Sequence, residues 1–239
     1  MAEIYSREIT ITMNMLDYQD YVKPSAFLDA VQFVGSEHSD AMKCGFSDLI
    51  SQDVIWVVIK NEINIYKKVK TPSSLRFVTY PLKPRIFEYP RDTEVYQGDE
   101  LIALIRATWM MYSLKENKIV TLPVYSNTEL KEPIVSGRIQ RIEKISKEEM
   151  NFEKEVEVTY HQIDHNKHLN NTHYLDFFSD IFEDKYNFKR INVEYIKQAY
   201  IHQKISLFSA KINNFAYVFG YVGDEQIFAV KGEIQDEDK

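Results

Sequence analysis

Three side chains that can take part in acid–base chemistry, Asp164, Asn166 and His168, stand at alternate positions in one short stretch of the chain. Two more asparagines, Asn170 and Asn171, follow directly. A carboxylate can take a proton from water, an imidazole can share that proton, and an amide can hold a carbonyl oxygen. The stretch therefore predicts a hydrolytic site.

An apolar helical pattern begins directly after these polar residues and predicts a largely buried helix over residues 171–184. Its apolar face consists of Tyr174, Phe177, Phe178, Ile181 and Phe182. Asn170 or Asn171 is suited to cap the N-terminus by accepting hydrogen bonds from backbone N–H groups. The positive end of the helix dipole would face the polar stretch and favour negative charge that develops there.

Each candidate residue also has a purely structural interpretation. Asp164 and Asn166 are both of types that are common in turns, and His168 could be a packed, neutral histidine bonded to a backbone carbonyl. A metal site built from the histidines of this stretch is disfavoured, because their spacing matches no common zinc pattern. Cys44, the single cysteine, has no histidine and acid at a spacing that would support a nucleophile. Neither a metal nor a cofactor is predicted.

The composition predicts a globular protein and argues against several classes of function and location. The 239 residues are 44% hydrophobic and 13% aromatic with only 7 glycines, which favours packed, strand-rich cores. A net charge of -7 argues against nucleic acid as the main partner. The first residues do not resemble a secretory signal, and no apolar run is long enough to span a bilayer. A cytoplasmic protein is therefore expected.

The chain carries one order of elements twice, namely a strand, a loop, a helix and a run of strands. The first copy is predicted to occupy residues 1–115, and the second copy residues 152–239. Residues 116–151, which contain prolines and many charges, are predicted to be a linker. In the first copy a helix is predicted over 25–42, with Gly45 ending it, and a long strand is predicted over 53–70. The acidic tail, residues 236–239, is assigned no function.

The two copies align without a gap when Asp17 is set against Asp164. The phrase FLD of the first copy then falls on YLD of the second. Gln19 and Tyr21 stand in the first copy where the second has Asn166 and His168. The alignment therefore predicts an internal repeat in which the second copy alone carries the chemistry.

The run from Asp164 to Asn171, followed by Tyr174 and Leu175, resembles the D-x-N-x-H-x-N-N…Y-L signature of acyl-acyl carrier protein (acyl-ACP) thioesterases. The resemblance implies an α+β fold of two tandem hotdog domains, each a long helix wrapped by a curved antiparallel β-sheet. It also implies hydrolysis of the thioester of fatty acyl-ACP, which releases free fatty acid and terminates chain elongation. Asp164, Asn166 and His168 would be the catalytic residues of the loop.

The chain departs from the family in a second phrase, E-Y-x-x-E followed by Cys or Ala, which here reads Glu194 to Ala199. Gln198 stands where the family has a catalytic glutamate, and Ala199 stands where the plant enzymes have a cysteine. Gln198 cannot act as a base, although it can orient water or a carbonyl group. A thiol nucleophile at this position is excluded, so Asp164 is the predicted general base.

The partner implied by the resemblance is acyl carrier protein with its 4'-phosphopantetheine-linked acyl chain. Because that partner is acidic, a basic docking face is expected within residues 60–91 or at Arg138, Arg141 and Lys144, although these side chains could simply be solvated. The acyl chain is expected in an apolar tunnel between helix and sheet, lined from the first half. An acyl-CoA thioesterase and a non-catalytic acyl-thioester-binding hotdog protein are the alternatives. Pairing of two chains as a homodimer is left open.

Overall fold

The structure is a computed structural model that describes residues 4–70, 72–126, 128–182 and 185–235. Its contacts divide the chain into two compact units, Met1–Ile139 and Gln140–Lys239. The division falls within the stretch predicted as a linker, while the domain bounds themselves stay a prediction. The acidic tail and the last two residues of the helix predicted over 171–184 lie outside the described residues.

The first unit packs a long helix against an antiparallel sheet. Its elements are β1 (Tyr5–Thr10), α1 (Pro24–Ala41), α2 (Phe46–Ile50), β2 (Val54–Ile65), β3 (Ser74–Pro81), β4 (Tyr89–Gln97), β5 (Glu100–Ser113) and β6 (Lys118–Val120). The strands lie in the order β1-β3-β4-β5-β2, with β6 added to the end of β5. Pro24 opens α1, where a missing N–H costs nothing and the fixed φ suits the first turn.

The second unit repeats the arrangement of a long helix on an antiparallel sheet. Its elements are β7 (Asn151–Glu157), α3 (His173–Phe182), β8 (Phe188–Tyr195), β9 (Lys204–Ile212), β10 (Phe215–Val222) and β11 (Glu225–Ile234). The strand order is β7-β9-β10-β11-β8, which is the order of the first unit element for element. The predicted internal repeat is therefore present in the topology.

Aromatic side chains fix α3 on its sheet. The Tyr174 ring lies 4.8 Å from that of Phe228 on β11, and the Phe178 ring lies 4.9 Å from that of Phe188 on β8. Gly232 on β11 leaves room for this packing, because a Cβ atom there would come within 2.6 Å of the Phe178 ring. The apolar face predicted for this helix is buried at all five of its positions.

Two local predictions for the first unit are wrong. The first helix ends at Ala41, and Gly45 instead precedes α2, where its N–H donates to Asp48 Oδ2 at 3.1 Å. The reversal is made by Lys43, whose φ of 59° lies in the left-handed region. The strand predicted over 53–70 ends at Ile65, because residues 66–70 leave the sheet and run beside a loop.

Strand β4 is polar and buried on both faces, which alternation in the sequence did not predict. On the face toward α1, Arg91 Nη1 donates to His38 Nδ1 at 2.9 Å. On the other face, Arg106 of β5 binds Asp92 through two hydrogen bonds of 2.6 and 2.7 Å. Arg106 also donates to the carbonyl of Val135 at 2.8 Å. The segment predicted as a linker thus covers the outer face of this sheet.

Within the described part of the chain, no helix is both long enough and apolar enough to cross a membrane.

Candidate active site

Asp164 organises the loop that precedes α3. Its backbone N–H donates to the carbonyl of His168 at 3.0 Å, and its own carbonyl accepts from Lys167 N–H at 3.0 Å. Its Oδ1 atom accepts from the backbone N–H of Asn166 at 2.8 Å. Lys167 takes a φ of 68°, so the loop reverses within a few residues. The turn therefore gathers Asp164, Asn166 and His168 at one place.

The second oxygen of Asp164 faces the other two candidate side chains. Oδ2 lies 3.5 Å from Asn166 Nδ2 and 3.8 Å from His168 Nδ1. His168 Nδ1 also lies 3.3 Å from the carbonyl oxygen of Leu169, which can only accept, so this nitrogen carries a proton. Asp164 and His168 are about one-fifth exposed, and Asn166 is exposed. One carboxylate oxygen thus holds the turn while the other remains within reach of solvent and substrate.

Asn170 is the residue that ends the loop and begins the helix. Its Oδ1 accepts from Thr172 N–H at 3.1 Å, and its backbone carbonyl accepts from His173 N–H at 3.1 Å. These two backbone donors are consequently engaged. Asn171 Oδ1 is buried and has no hydrogen-bond partner among the described residues. Of the two asparagines proposed as the cap, Asn170 accepts a hydrogen bond with its side chain from Thr172, the residue directly before α3.

The first unit contains the same loop. Asp17 N–H donates to the carbonyl of Tyr21 at 2.7 Å, and Asp17 Oδ1 accepts from Gln19 N–H at 2.8 Å. Asp20, the counterpart of Lys167, has a φ of 66°. The gapless alignment of Asp17 with Asp164 is therefore correct down to single hydrogen bonds. The first loop keeps the turn and an amide, that of Gln19, but has Tyr21 where the second has the imidazole.

Gln198 lies on an extended segment held against the catalytic loop. Leu169 N–H donates to the carbonyl of Ala199 at 2.8 Å, which joins the residue after His168 to the residue after Gln198. The Gln198 side chain is exposed, and its Oε1 accepts from the hydroxyl of Tyr200 at 2.9 Å. Within the described residues, no hydrogen bond joins that side chain to Asp164, Asn166 or His168.

Two tyrosines also lie in this neighbourhood, Tyr174, which was predicted on the apolar face of the helix, and Tyr200, which no motif singled out. Tyr174 is buried at the start of α3, where burial raises the pKa of its hydroxyl, with a further contribution from the charge of Asp164. Tyr200 holds the side chain of Gln198. The only sequence signal for Tyr200 is its position two residues after Gln198 on an extended segment, which puts both side chains on one face. No group of three or more His, Cys, Asp or Glu side chains among the described residues could hold a metal ion.

Solved structures of thioesterases have the same fold over nearly the whole chain. An acyl-ACP thioesterase from Bacteroides thetaiotaomicron aligns with a TM-score of 0.90 at 17% identity, covering 98% of each chain. A 12:0-ACP thioesterase from Umbellularia californica aligns with a TM-score of 0.87 at 12% identity, again covering 98% of each chain. No curated protein sequence matches significantly.

The helix-on-sheet units and these structural relatives define the class of fold, two tandem hotdog domains, as the sequence predicted. The family model of the acyl-ACP thioesterase N-terminal domain matches residues 2–125. The family model of the acyl-ACP thioesterase C-terminal domain matches residues 145–238. The chain belongs to the acyl-ACP thioesterase family. Its reaction is hydrolysis of the fatty acyl-ACP thioester, and the resemblance on which that prediction rested is confirmed.

Proposed function

We propose that Asp164, Asn166 and His168 form the catalytic site of this thioesterase, with Asp164 as general base and Gln198 as a fourth contributor. The observation that carries the proposal is the loop of the second unit, in which one turn gathers a carboxylate, an amide and an imidazole. The first unit keeps the turn and an amide, that of Gln19, but has Tyr21 in place of the imidazole. Chemistry on the second loop alone explains this difference.

In the proposed reaction, Asp164 Oδ2 takes a proton from water while the water oxygen forms a bond to the acyl carbon. His168 Nδ1, which carries a proton, lies 3.8 Å from Asp164 Oδ2 and tunes the carboxylate electrostatically. The side-chain amide of Asn166 donates to the oxyanion of the tetrahedral intermediate. The intermediate collapses by breaking the carbon–sulfur bond, and the pantetheine thiolate leaves and is then protonated. Thiols ionise near pH 8.5, so the leaving group needs little acid assistance.

The decisive experiment compares Asp164→Asn with Asp17→Asn. An asparagine keeps an oxygen that can accept from the backbone N–H two residues on, so both variants retain the turn. Only the first loses a candidate base. We expect thiol release from acyl-ACP to fall roughly 10²- to 10⁴-fold in Asp164→Asn and to stay at the wild-type rate in Asp17→Asn. Near wild-type turnover by Asp164→Asn would refute the assignment.

The same assay addresses the substrate. Thiol release is measured on carrier-protein thioesters of graded chain length and on the matching CoA thioesters, and we expect higher kcat/KM for the carrier-protein series. The protein's own thiol interferes little, because burial raises the pKa of Cys44 to about 11. Binding of acyl-ACP with no thiol release would indicate the acyl-binding alternative.

A cytoplasmic location and a homodimer are further proposals. The location is supported by the lone, buried Cys44, because proteins of oxidising compartments often carry disulfides. Light scattering on the purified chain tests the dimer, and a mass of one chain would exclude it.

A further inference from the structure

The two units share a second repeated piece of backbone, the segment that follows β2 and β8. Tyr66 and Lys67 N–H both donate to the carbonyl of Ile102, at 2.9 and 3.1 Å. In the second unit the N–H groups of residues 196 and 197 both donate to one carbonyl, that of Ile227, at 2.9 and 3.0 Å. In each unit the second residue of the pair, Lys67 or Lys197, also forms an ion pair with a glutamate. The two segments therefore correspond residue for residue.

This correspondence locates Gln198 relative to the catalytic loop. Val22 N–H donates to the carbonyl of Val69 at 3.1 Å, as Leu169 N–H donates to that of Ala199. The residues on either side of Val69 are Lys68 and Lys70, whose ammonium groups lie 5.0 and 4.9 Å from the centre of the Tyr21 ring.

Tyr21 is the counterpart of His168. By the same geometry, Gln198 and Tyr200 are the counterparts of the two lysines and flank His168. This places the Gln198 amide beside the proposed catalytic loop.

The contact between Gln198 and Tyr200 fixes the direction of the carboxamide. The Tyr200 hydroxyl donates to Oε1 at 2.9 Å, so the oxygen is engaged and the two N–H donors on Nε2 remain for other groups. The backbone of Tyr200 is itself held, because its N–H donates to Gln203 Oε1 at 2.8 Å and its carbonyl accepts from Gln203 N–H at 3.1 Å. The backbone position from which the Tyr200 hydroxyl reaches Gln198 is therefore fixed.

We propose that Tyr200 is a positioning residue that turns the Gln198 carboxamide so that Nε2 donates to the thioester oxygen. The proposal rests on the catalytic assignment above and adds a second side-chain donor for the oxyanion. The backbone N–H groups of Thr172 and His173 are engaged by Asn170, so these two groups do not supply that donor. A glutamate at this position, as found elsewhere in the family, would present only acceptors while ionised and would repel the oxyanion. Gln198 thus acts as a hydrogen-bond donor in this enzyme and does not take over the role of a general base.

A double-mutant cycle tests this role on the full-length enzyme, with the carrier-protein thioester that the wild type hydrolyses fastest. We expect Gln198→Ala to lower kcat roughly 10²-fold, as loss of one oxyanion donor does elsewhere. Tyr200→Phe should lower kcat roughly fivefold to tenfold, the effect of one orienting hydrogen bond, with KM unchanged. In the Gln198→Ala background, Tyr200→Phe should have no further effect, because the two residues act as one unit.

Gln198→Glu gives an independent readout of the same role. If the amide acts as a donor, this variant has a lower kcat than the wild type at neutral pH, and its activity recovers partly in acid, where a protonated carboxyl can donate. A kcat above that of the wild type would show that the position serves as a base and would overturn the proposal.

The matched control is Tyr18→Phe in the loop of the first unit. It removes a tyrosine hydroxyl that accepts a hydrogen bond from the side chain of a glutamine, Gln19. It should leave kcat unchanged. The proposal is overturned if Tyr200→Phe keeps the wild-type kcat, or if its loss persists in full when Gln198 is already alanine. Asp164→Asn is measured alongside: retained activity there would refute the catalytic assignment itself, whatever the Tyr200 variants do.

Discussion

At the scale of single residues, Asp17 and Asp164 separate what a turn requires from what a reaction requires. Both carboxylates accept a backbone N–H two residues on at 2.8 Å, so the turn interpretation of Asp164 is correct as far as it goes. It does not compete with the catalytic interpretation, because a carboxylate has two oxygens and the turn uses one. The second oxygen of Asp164 faces His168. The sequence could not reveal this double use, since either role alone explains an aspartate at that position.

Another single residue, His38, makes the stability of the first unit sensitive to acid. It is buried at the end of α1, and burial together with the neighbouring Arg91 guanidinium lowers its pKa from 6.5 to about 4. Between these two pH values the unfolded chain binds a proton that the folded chain does not. Stability contributed by neutral His38 is therefore complete above about pH 6.5 and is lost as the pH falls toward 4.

We expect the unfolding free energy of His38→Gln to be lower than that of the wild type at neutral pH and to approach it as the pH falls from 6.5 to 4. Glutamine keeps an acceptor for Arg91 but cannot take up a proton. Denaturant unfolding at several pH values measures the difference. A constant gap between His38→Gln and the wild type would contradict the expectation.

At the scale of elements, the regular periodic segments were predictable and the interrupted ones were not. The apolar face of α3 and most strands follow from spacing alone. Helix α2 and strand β6 are short and depend on their surroundings. The burial of strand β4 could not be predicted, because its residues are polar and yet are buried on both faces. Arg91 lies under α1, and Arg106 binds Asp92 beneath residues 135–137. A sequence pattern shows polarity, but it does not show which later segment will cover it.

The packing of α3 against its sheet depends on one small residue, Gly232. A Cβ atom there would lie 2.6 Å from ring atoms of both Phe178 and Phe188, so alanine forces the helix-borne Phe178 ring to move. We expect Gly232→Ala to lower the unfolding free energy by about 1–3 kcal/mol, as overpacking does in other cores. Activity should also fall, because α3 begins at the catalytic loop. Thermal unfolding and thiol release measure the two effects.

Gly35→Ala is the matched control for this substitution. Gly35 lies inside α1, and an added Cβ would meet Arg91 Cδ at an ordinary 3.7 Å. Replacing glycine by alanine within a helix should raise stability by roughly 0.5–1 kcal/mol. If both variants unfold at the wild-type temperature, close approach at Gly232 is not what holds α3 in position.

At the scale of the whole molecule, two copies of one topology have diverged in chemistry while their backbones have stayed the same. The strand orders match, the loops match hydrogen bond by hydrogen bond, and the segments after β2 and β8 match as well. The turn requires particular side chains at only a few positions. The two copies within the 239 residues therefore share few identical residues, and the repeat was recognised from those few. What the sequence could not supply was the pairing of Gln198 with Tyr200, since that contact depends on how the segment lies against the loop.

The divergence also gives the first unit a basic surface at the place that corresponds to the catalytic loop. Lys68 and Lys70 lie over the Tyr21 ring, where the second unit has the uncharged Gln198 and Tyr200. The chain as a whole carries a net charge of -7, so it would repel an acidic carrier protein unless such a surface received it. Lys67, the neighbouring lysine, forms an ion pair with Glu100.

We expect the double charge reversal Lys68→Glu/Lys70→Glu to raise KM for acyl-ACP several-fold at low salt with little change in kcat, because charges at the rim of a contact act mainly on association. The increase should shrink as salt screens the surface. KM for a small acyl-pantetheine thioester should not change, since that substrate carries no acidic protein. The control is Lys211→Glu, which reverses a lysine over another tyrosine ring, Tyr186 in the second unit. Equal values of KM for acyl-ACP in the double variant and the wild type would exclude this surface as the docking site.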